Sequence, residues 1–435
     1  MLKVMFNKWY PGAMNRWTCR VLGGLVVGLG LGLGVGCGED EAEAPATEGK
    51  GFPTAEAQQA ITTYKAIAHG VYGESLGRTK ALQGAIEALV AAPDEAKLTA
   101  AKQAWVDARV IYNQNDVFRF YGGPIDNEET GPEGAINGWP LDENFIDYTR
   151  DEASAGIINA PDKFPTVDAG LIEEQNEQGG EKNLSSGYHA IEFLLWGQDD
   201  LTPGTGPGKR PASDFVDGGT ATNQARRRAY LQASAALLVS HLESVEAAWK
   251  PGATGNYAAT FGVQPAPDSA TQDGVKDAIA SMIRGMGSLA KAELAGERMT
   301  VAFKNRSQED EHSCFSDTTW LDLHNNALGI QNVWLGQYRG QKVGAGLDAV
   351  FRAIDASLAD AITADLDTAV SKLEALAGAN DSKPFDVVLA EPDGSPARNE
   401  TVEVIKALRG AADGLSLGAS RLGLTLTLEE PSEEL

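Results

Sequence analysis

The chain has 435 residues, 43% of them hydrophobic and 22% charged, a composition of globular proteins at the length of two to three ordinary domains. Its 36 basic residues are outnumbered by 61 acidic ones, which leaves a formal charge of −25. That balance opposes a sequence-independent grip on phosphate backbones and excludes nucleic acid as an expected partner.

Lys3, Lys8, Arg16 and Arg20 precede a stretch from Val21 to Val35 built only of Val, Leu and Gly. Residues 1–36 therefore read as a signal peptide. The apolar stretch has 15 residues, fewer than the roughly 20 that span a bilayer as a helix. It runs into Gly34-Val35-Gly36-Cys37, which resembles a bacterial lipobox with Gly34 where Leu is usual. Lipidation at Cys37 implies an exported protein, anchored to a membrane through its lipid and facing the periplasm or the cell surface. Loss of residues 1–36 removes four basic and no acidic residues, so the mature charge is 32 − 61 = −29. Cys19 leaves with the signal and Cys37 carries lipid, so Cys314 remains as a lone thiol, expected to be buried, and no internal disulfide can form.

Residues 37–52 are acidic, small and Pro-containing, and read as the lipidated Cys followed by a flexible tether. Beyond them apolar residues recur at helical spacing. Leu98, Ala101, Trp105, Ala108 and Tyr112 form one stripe, with Asp94 placed to cap the helix. Leu231, Ala235, Leu238, Leu242, Val245 and Trp249 form a second, and Val404, Leu408, Ala411 and Leu415 a third. Narrow stripes of this kind pack as bundles, so the expected fold class is all-α, with two helical-bundle halves. Two long stretches rich in Gly, Pro, Asp and Asn, about 122–184 and 197–219, interrupt the helices. The second divides the chain into an N-terminal half, 53–205, and a C-terminal half, 206–428, followed by an acidic tail, 429–435. Strand-like alternation is scarce, the best being Leu422 to Leu428.

The segment Gly187-Tyr188-His189-Ala190-Ile191-Glu192-Phe193-Leu194-Leu195-Trp196 is an apolar helix with two ionisable groups near its start. At a spacing of three, His189 and Glu192 share a helix face with Cβ atoms about 5–6 Å apart. They can share a cation or hydrogen-bond to each other, and a buried carboxylate in such surroundings needs a partner. Gly187, His189 and Glu192 match the G-x-H-x-x-E signature of the imelysin family of bacterial exported proteins. Trp105 to Arg109, Phe118 to Asp126 and Ile136 to Glu143 resemble that family's N-terminal half, and Gln308 to Thr319 is similar to a segment of its iron-regulated branch. In that branch a His often follows the Thr pair, whereas Trp320 stands here. The resemblance implies paired helical bundles with a site near their junction, a link to iron uptake, and a peptidase label. Carried onto matched positions, it implies His189 and Glu192 as metal or substrate contacts, with Arg109 and Asp317 in support.

Glu309, Asp310, Glu311, His312, Cys314 and Asp317 fall within nine residues and supply oxygen and imidazole donors suited to iron or another divalent metal. They read equally as a solvated acidic loop. Because two donors cannot complete a coordination shell, this loop or the region of Asp126, Glu128, Asp142 and Glu143 is expected to add ligands. Arg109 lies beside the Trp105 stripe, either clamping a carboxylate or snorkelling at the bundle edge. Arg226, Arg227 and Arg228 open a helix and are expected to face solvent.

Three functions compete. The first is an extracytoplasmic lipoprotein that binds iron or an iron complex, with a membrane transport partner left open. The second is a metallopeptidase built on the His189 and Glu192 pair, although the chain lacks H-E-x-x-H, H-x-x-E-H and G-x-S-x-G motifs. The third is a surface scaffold without a metal site.

Overall fold

Helix α1, Thr54–Ala91, buries Ile61, Tyr64, Ala68, Val71, Ser75, Thr79, Leu82, Ile86 and Leu89, an alternation of threes and fours that lays one continuous apolar seam along its length. In this computed structural model the described residues are 51–435 except 201, 268, 270, 379–382 and 434, and they belong to one compact unit. The signal peptide, Cys37 and nearly all of the tether lie outside the described residues.

Helix α2, Glu95–Tyr112, starts where Asp94 accepts a hydrogen bond from the Lys97 amide at 2.8 Å, the cap expected from sequence. It packs on α1, as does the long helix α4, Gln224–Trp249. Between them lies α3, Gly187–Trp196, in which every residue is buried. The chain beyond α4 builds a second group of helices. These are α5, Gly274–Ser288, then α6, Thr319–Leu335, α7, Leu347–Ile354, α8, Ala356–Gly378, and α9, Pro396–Arg421. Helix α8 packs against both α6 and α9. The three stripes read from sequence are buried in α2, α4 and α9.

Helix α5 continues without a break as π-helix from Leu289 to Val301 and as a final α-turn, Ala302–Asn305. A π winding aligns residues five apart. Here it brings Glu293 Oε1 to 2.8 Å from Arg298 Nη2. The long stretch before α3 is made of short helical turns, at Glu133–Asn137, Glu143–Ile146, Gly156–Asn159 and Ala169–Gln175. Leu422 to Leu428 forms no strand. After a turn at Leu422 and Gly423 it continues without regular secondary structure, with Leu424 and Leu428 buried and Leu428 against Gly287 of α5. The alternation therefore records one buried side without a neighbouring strand. Among the described residues the only sheet is the two-residue ladder of Gln337–Tyr338 with Gln341–Lys342.

Two helices that meet from distant parts of the chain position the site. The end of α2 and the 3-10 turn Asn113–Phe118 pack on α6, and α3 packs on α2. Asp322, near the start of α6, is thereby faced by Arg109 and Asn113.

Candidate histidine–carboxylate centre

Gly187, at the first turn of α3, has φ +87°, and a Cβ there would stand 2.5 Å from the Ile136 carbonyl oxygen. Glycine lets the Glu133–Asn137 turn press against the start of α3. Two residues on, His189 is 2% exposed, and Glu192, three residues further, is fully buried. His189 Nδ1 and Glu192 Oε2 share a hydrogen bond of 2.9 Å. The other oxygen of Glu192 accepts from the Ser316 amide at 2.9 Å and from its hydroxyl at 2.7 Å. Both carboxylate oxygens are therefore engaged within the protein.

The second imidazole belongs to His312, 1% exposed, whose ring centre lies 4.7 Å from that of His189 with the planes at 74°. Its Nδ1 is 2.8 Å from Asp322 Oδ2. Asp322 also takes Arg109 Nη2 at 3.3 Å and Asn113 Nδ2 at 2.5 Å. Arg109 is buried, with its guanidinium 5.1 Å from the centre of the Tyr188 ring and a hydrogen bond to Asn137 Oδ1. It clamps a carboxylate, as one of the two sequence readings anticipated. Trp139 packs edge-on to His312 and donates its indole N–H to the Glu311 carbonyl at 3.0 Å.

Each histidine thus has a carboxylate at Nδ1, and in both the Nε2 atom is buried without a hydrogen-bond partner. Leaving a buried polar atom unpaired costs about 1–3 kcal/mol, so two such atoms on neighbouring rings single this place out as a candidate site. Burial lowers both imidazoles, His189 well below the usual value and His312 to about 4, so both are neutral near pH 7. Burial pushes Glu192 up to about 8 in spite of its Ser316 hydrogen bonds. Burial alone would raise Asp322 too, but Arg109, His312 and Ser313 outweigh it and hold the group well below the usual carboxylate range. Neutral imidazoles backed by carboxylates are the usual form of metal-ligating histidine.

The remaining expected residues lie elsewhere. Glu309 is exposed and, with Glu143, Asp199 and Cys314, lines a cavity of about 10 Å³, room for one water-sized particle. Burial and the nearby carboxylates raise the Cys314 thiol, which is half-buried. Asp317 is half-buried, and burial together with Asp386 moves it to about 6. Asp126 accepts from the Tyr121 and Gly123 amides, Asp142 caps the Glu143–Ile146 turn, and Glu128 is exposed. Trp320 is buried against Phe385 and donates to the Lys383 carbonyl at 3.0 Å. Among the described residues, no three His, Cys, Asp or Glu side chains converge as a cation site.

Arg227 departs from the expected solvent-facing position. It is fully buried and holds Asp147 through Nε at 2.6 Å and Nη2 at 2.8 Å, because Asp147 sits buried at the end of the Glu143–Ile146 turn and needs a cation. Sequence reasoning missed Asp322. Its signal was there, since it is the only Asp, Glu, Lys or Arg in the otherwise uncharged helix α6.

The imelysin family profile matches residues 68–413. Iron-regulated protein A of Synechococcus elongatus is 24% identical over 289 residues, which cover 66% of this chain and 64% of that relative, slightly under two thirds of its length. Among solved structures, a Parabacteroides distasonis protein provisionally described as an iron-regulated protein A precursor aligns with a TM-score of 0.64 at 17% identity. The match covers 86% of this chain and 97% of that one. An imelysin-like protein from Psychrobacter arcticum aligns with a TM-score of 0.56 at 12% identity, over 85% and 96% of the two chains. These two likenesses speak for the fold, and the profile match over most of the sequence establishes that the chain belongs to the imelysin family.

Proposed function

We propose that this chain is an exported lipoprotein that captures iron, as an ion or a complex, between His189 and His312. The observation that carries the reading is the pair of buried, unpartnered Nε2 atoms on rings 4.7 Å apart, each ring fixed at Nδ1 by its own carboxylate. Two imidazoles bonded to one cation at about 2.1 Å through nitrogens at roughly right angles have ring centres about 4.5–5 Å apart, so the spacing fits a shared ion. Imidazole nitrogen suits iron. Glu192 and Asp322 act as positioning residues, since their oxygens are engaged by His189, Ser316, His312 and Arg109.

Two protein nitrogens fill only part of a coordination shell. The rest is supplied by water or by ligands that arrive with the iron, which favours iron as cargo over iron as a resident catalyst. A zinc-peptidase centre usually has three protein ligands, and the histidine pair lacks a third. The name of the cyanobacterial relative, an iron-regulated protein, agrees with an iron-related role. Anchoring through Cys37 rests on the apolar stretch that ends there, and intact mass of membrane-extracted protein reads the acyl group directly.

The test is an anaerobic Fe(II) titration of the detergent-extracted full chain by calorimetry. Wild type is expected to bind, and His189→Ala and His312→Ala each to lose that binding while keeping their thermal transition. Equal affinity in all three proteins would move the site elsewhere. Repeated turnover of an unfolded polypeptide, abolished in Glu192→Gln, would replace capture by hydrolysis. Absence of both would favour a scaffold.

A further inference from the structure

A second concavity, about 300 Å³, opens at the far end of α3 from the histidines and is lined by Tyr148, Arg150, Gly197, Gly208, Lys209 and Arg210 among others. Its volume lies at the lower end of the range for small-molecule sites. In a chain of net charge −25 its wall is locally basic. Arg150 and Lys209 are exposed, and neither forms an ion pair among the described residues. Arg150 donates to the Asp199 backbone carbonyl and Lys209 to that of Thr205. Deeper, Arg210 is 5% exposed and lies over the Tyr148 ring, 5.0 Å from its centre. Its Nη1 holds Asp147 at 2.8 Å and Asp214 at 3.4 Å, yet its Nε is buried without a partner.

The charges decide the sign of the ligand. Arg210 and Arg227 are matched by Asp147 and Asp214, so this inner group is neutral. Arg150 and Lys209 then leave the wall positive, with Asp200 as the acid that also lines it. Distant carboxylates count for little, because at physiological salt charges more than about 8 Å away are largely screened. Glycines let the backbone pass closely here. A Cβ on Gly197 would lie 3.5 Å from Arg210 Nε, and one on Gly208 would lie 2.6 Å from the Gly197 carbonyl oxygen. The unpartnered Nε therefore sits beside the glycine wall, with a planar aromatic face next to it.

We propose that this cavity binds a small organic carboxylate. The carboxylate is met by Arg150 and Lys209 at the mouth and by the Arg210 guanidinium edge within, and its carbon body lies against Tyr148. Paired oxygens match a guanidinium edge better than a spherical anion does. The site is independent of the histidine centre.

Calorimetric titration of the full chain in detergent with citrate and with succinate tests the proposal, with inorganic phosphate and glucose as comparison probes. Wild type is expected to bind one or both carboxylates, more weakly as salt is raised. The double variant Arg150→Gln/Lys209→Gln, both at exposed positions, is expected to lose roughly tenfold or more in affinity. Its Fe(II) titration and thermal transition should match wild type, which keeps failure here distinct from failure of the iron reading. No uptake of either carboxylate by wild type, or equal uptake by the double variant, would overturn the proposal. Phosphate binding tighter than both carboxylates would overturn the ligand class, and glucose binding unaffected by the variant would overturn the role of charge.

Discussion

His312 stands edge-on to His189 at 4.7 Å between ring centres, and the two arrive there from different helical groups of the chain. His189 rides on buried α3, while His312 lies in the loop before α6, tied to that helix by Asp322. The carboxyl groups take the Nδ1 atoms, and the Nε2 atoms are buried without hydrogen-bond partners. Where each carboxyl group is ionised it accepts from Nδ1–H and leaves the lone pair on Nε2, the tautomer that a cation needs.

Removing either carboxylate should therefore weaken iron binding without abolishing it. Glu192→Gln and Asp322→Asn keep side-chain shape but remove the carboxyl group at Nδ1. Each is expected to lower Fe(II) affinity by about 10- to 100-fold, the usual range for partners of ligating histidines. Anaerobic titration checks this, and wild-type affinity in both variants would show that the carboxylates serve packing alone.

Local physics was readable along the chain, and long-range pairing was not. Asp94 as a cap and the Leu98–Tyr112 stripe depend on neighbours three and four residues away, and both stand in the structure. His189 and Glu192 meet for the same reason. The partner that turns this pair into a centre, His312, is brought by packing that no spacing encodes. Glu309 and Asp317, from the same segment, point to other surroundings. Arg227 was misread because a run of three arginines suggests a solvated helix start, whereas burial of Asp147 eighty residues earlier in sequence requires one of them inside.

Breaking that buried pair should be costly. Arg227→Met leaves Asp147, whose two oxygens Arg227 holds, with Arg210 as its remaining ion-pair partner. Loss of one partner of a buried pair typically removes about 3–5 kcal/mol. Urea unfolding of Arg227→Met should show a shift of that order, and Asp147→Leu/Arg227→Met a smaller one because no charge is stranded. Equal midpoints for wild type and the single variant would show that water reaches the pair.

Asp199 gives the pH dependence a sign. Burial pushes it up to about 7, against roughly 3.9 in an unfolded chain. Between these values the folded state holds the proton more firmly, so this group's contribution is greatest below about pH 4 and is lost as pH rises through 7. Asp199→Asn should flatten the fall in stability between pH 5 and 8, measured by urea midpoints at each pH. An unchanged slope would assign the titration to other carboxylates.

The glycine of the motif is the last point at which backbone geometry and chemistry meet. Gly187 has φ +87°, and a methyl group there would come within 2.5 Å of the Ile136 carbonyl oxygen. Backbone strain of this kind costs about 1–3 kcal/mol. The clash also pushes on the turn that carries Asn137, which holds Arg109 and through it Asp322. Gly187→Ala is therefore expected to lose both stability and Fe(II) affinity. Ala190→Gly on the same helix is the control: it should cost about 0.5–1 kcal/mol of stability and leave affinity nearly unchanged, since it adds no atom that could push on the turn. If thermal melts and titrations show both variants alike, Gly187 matters only for helix stability, and the motif glycine has no part in placing the histidines.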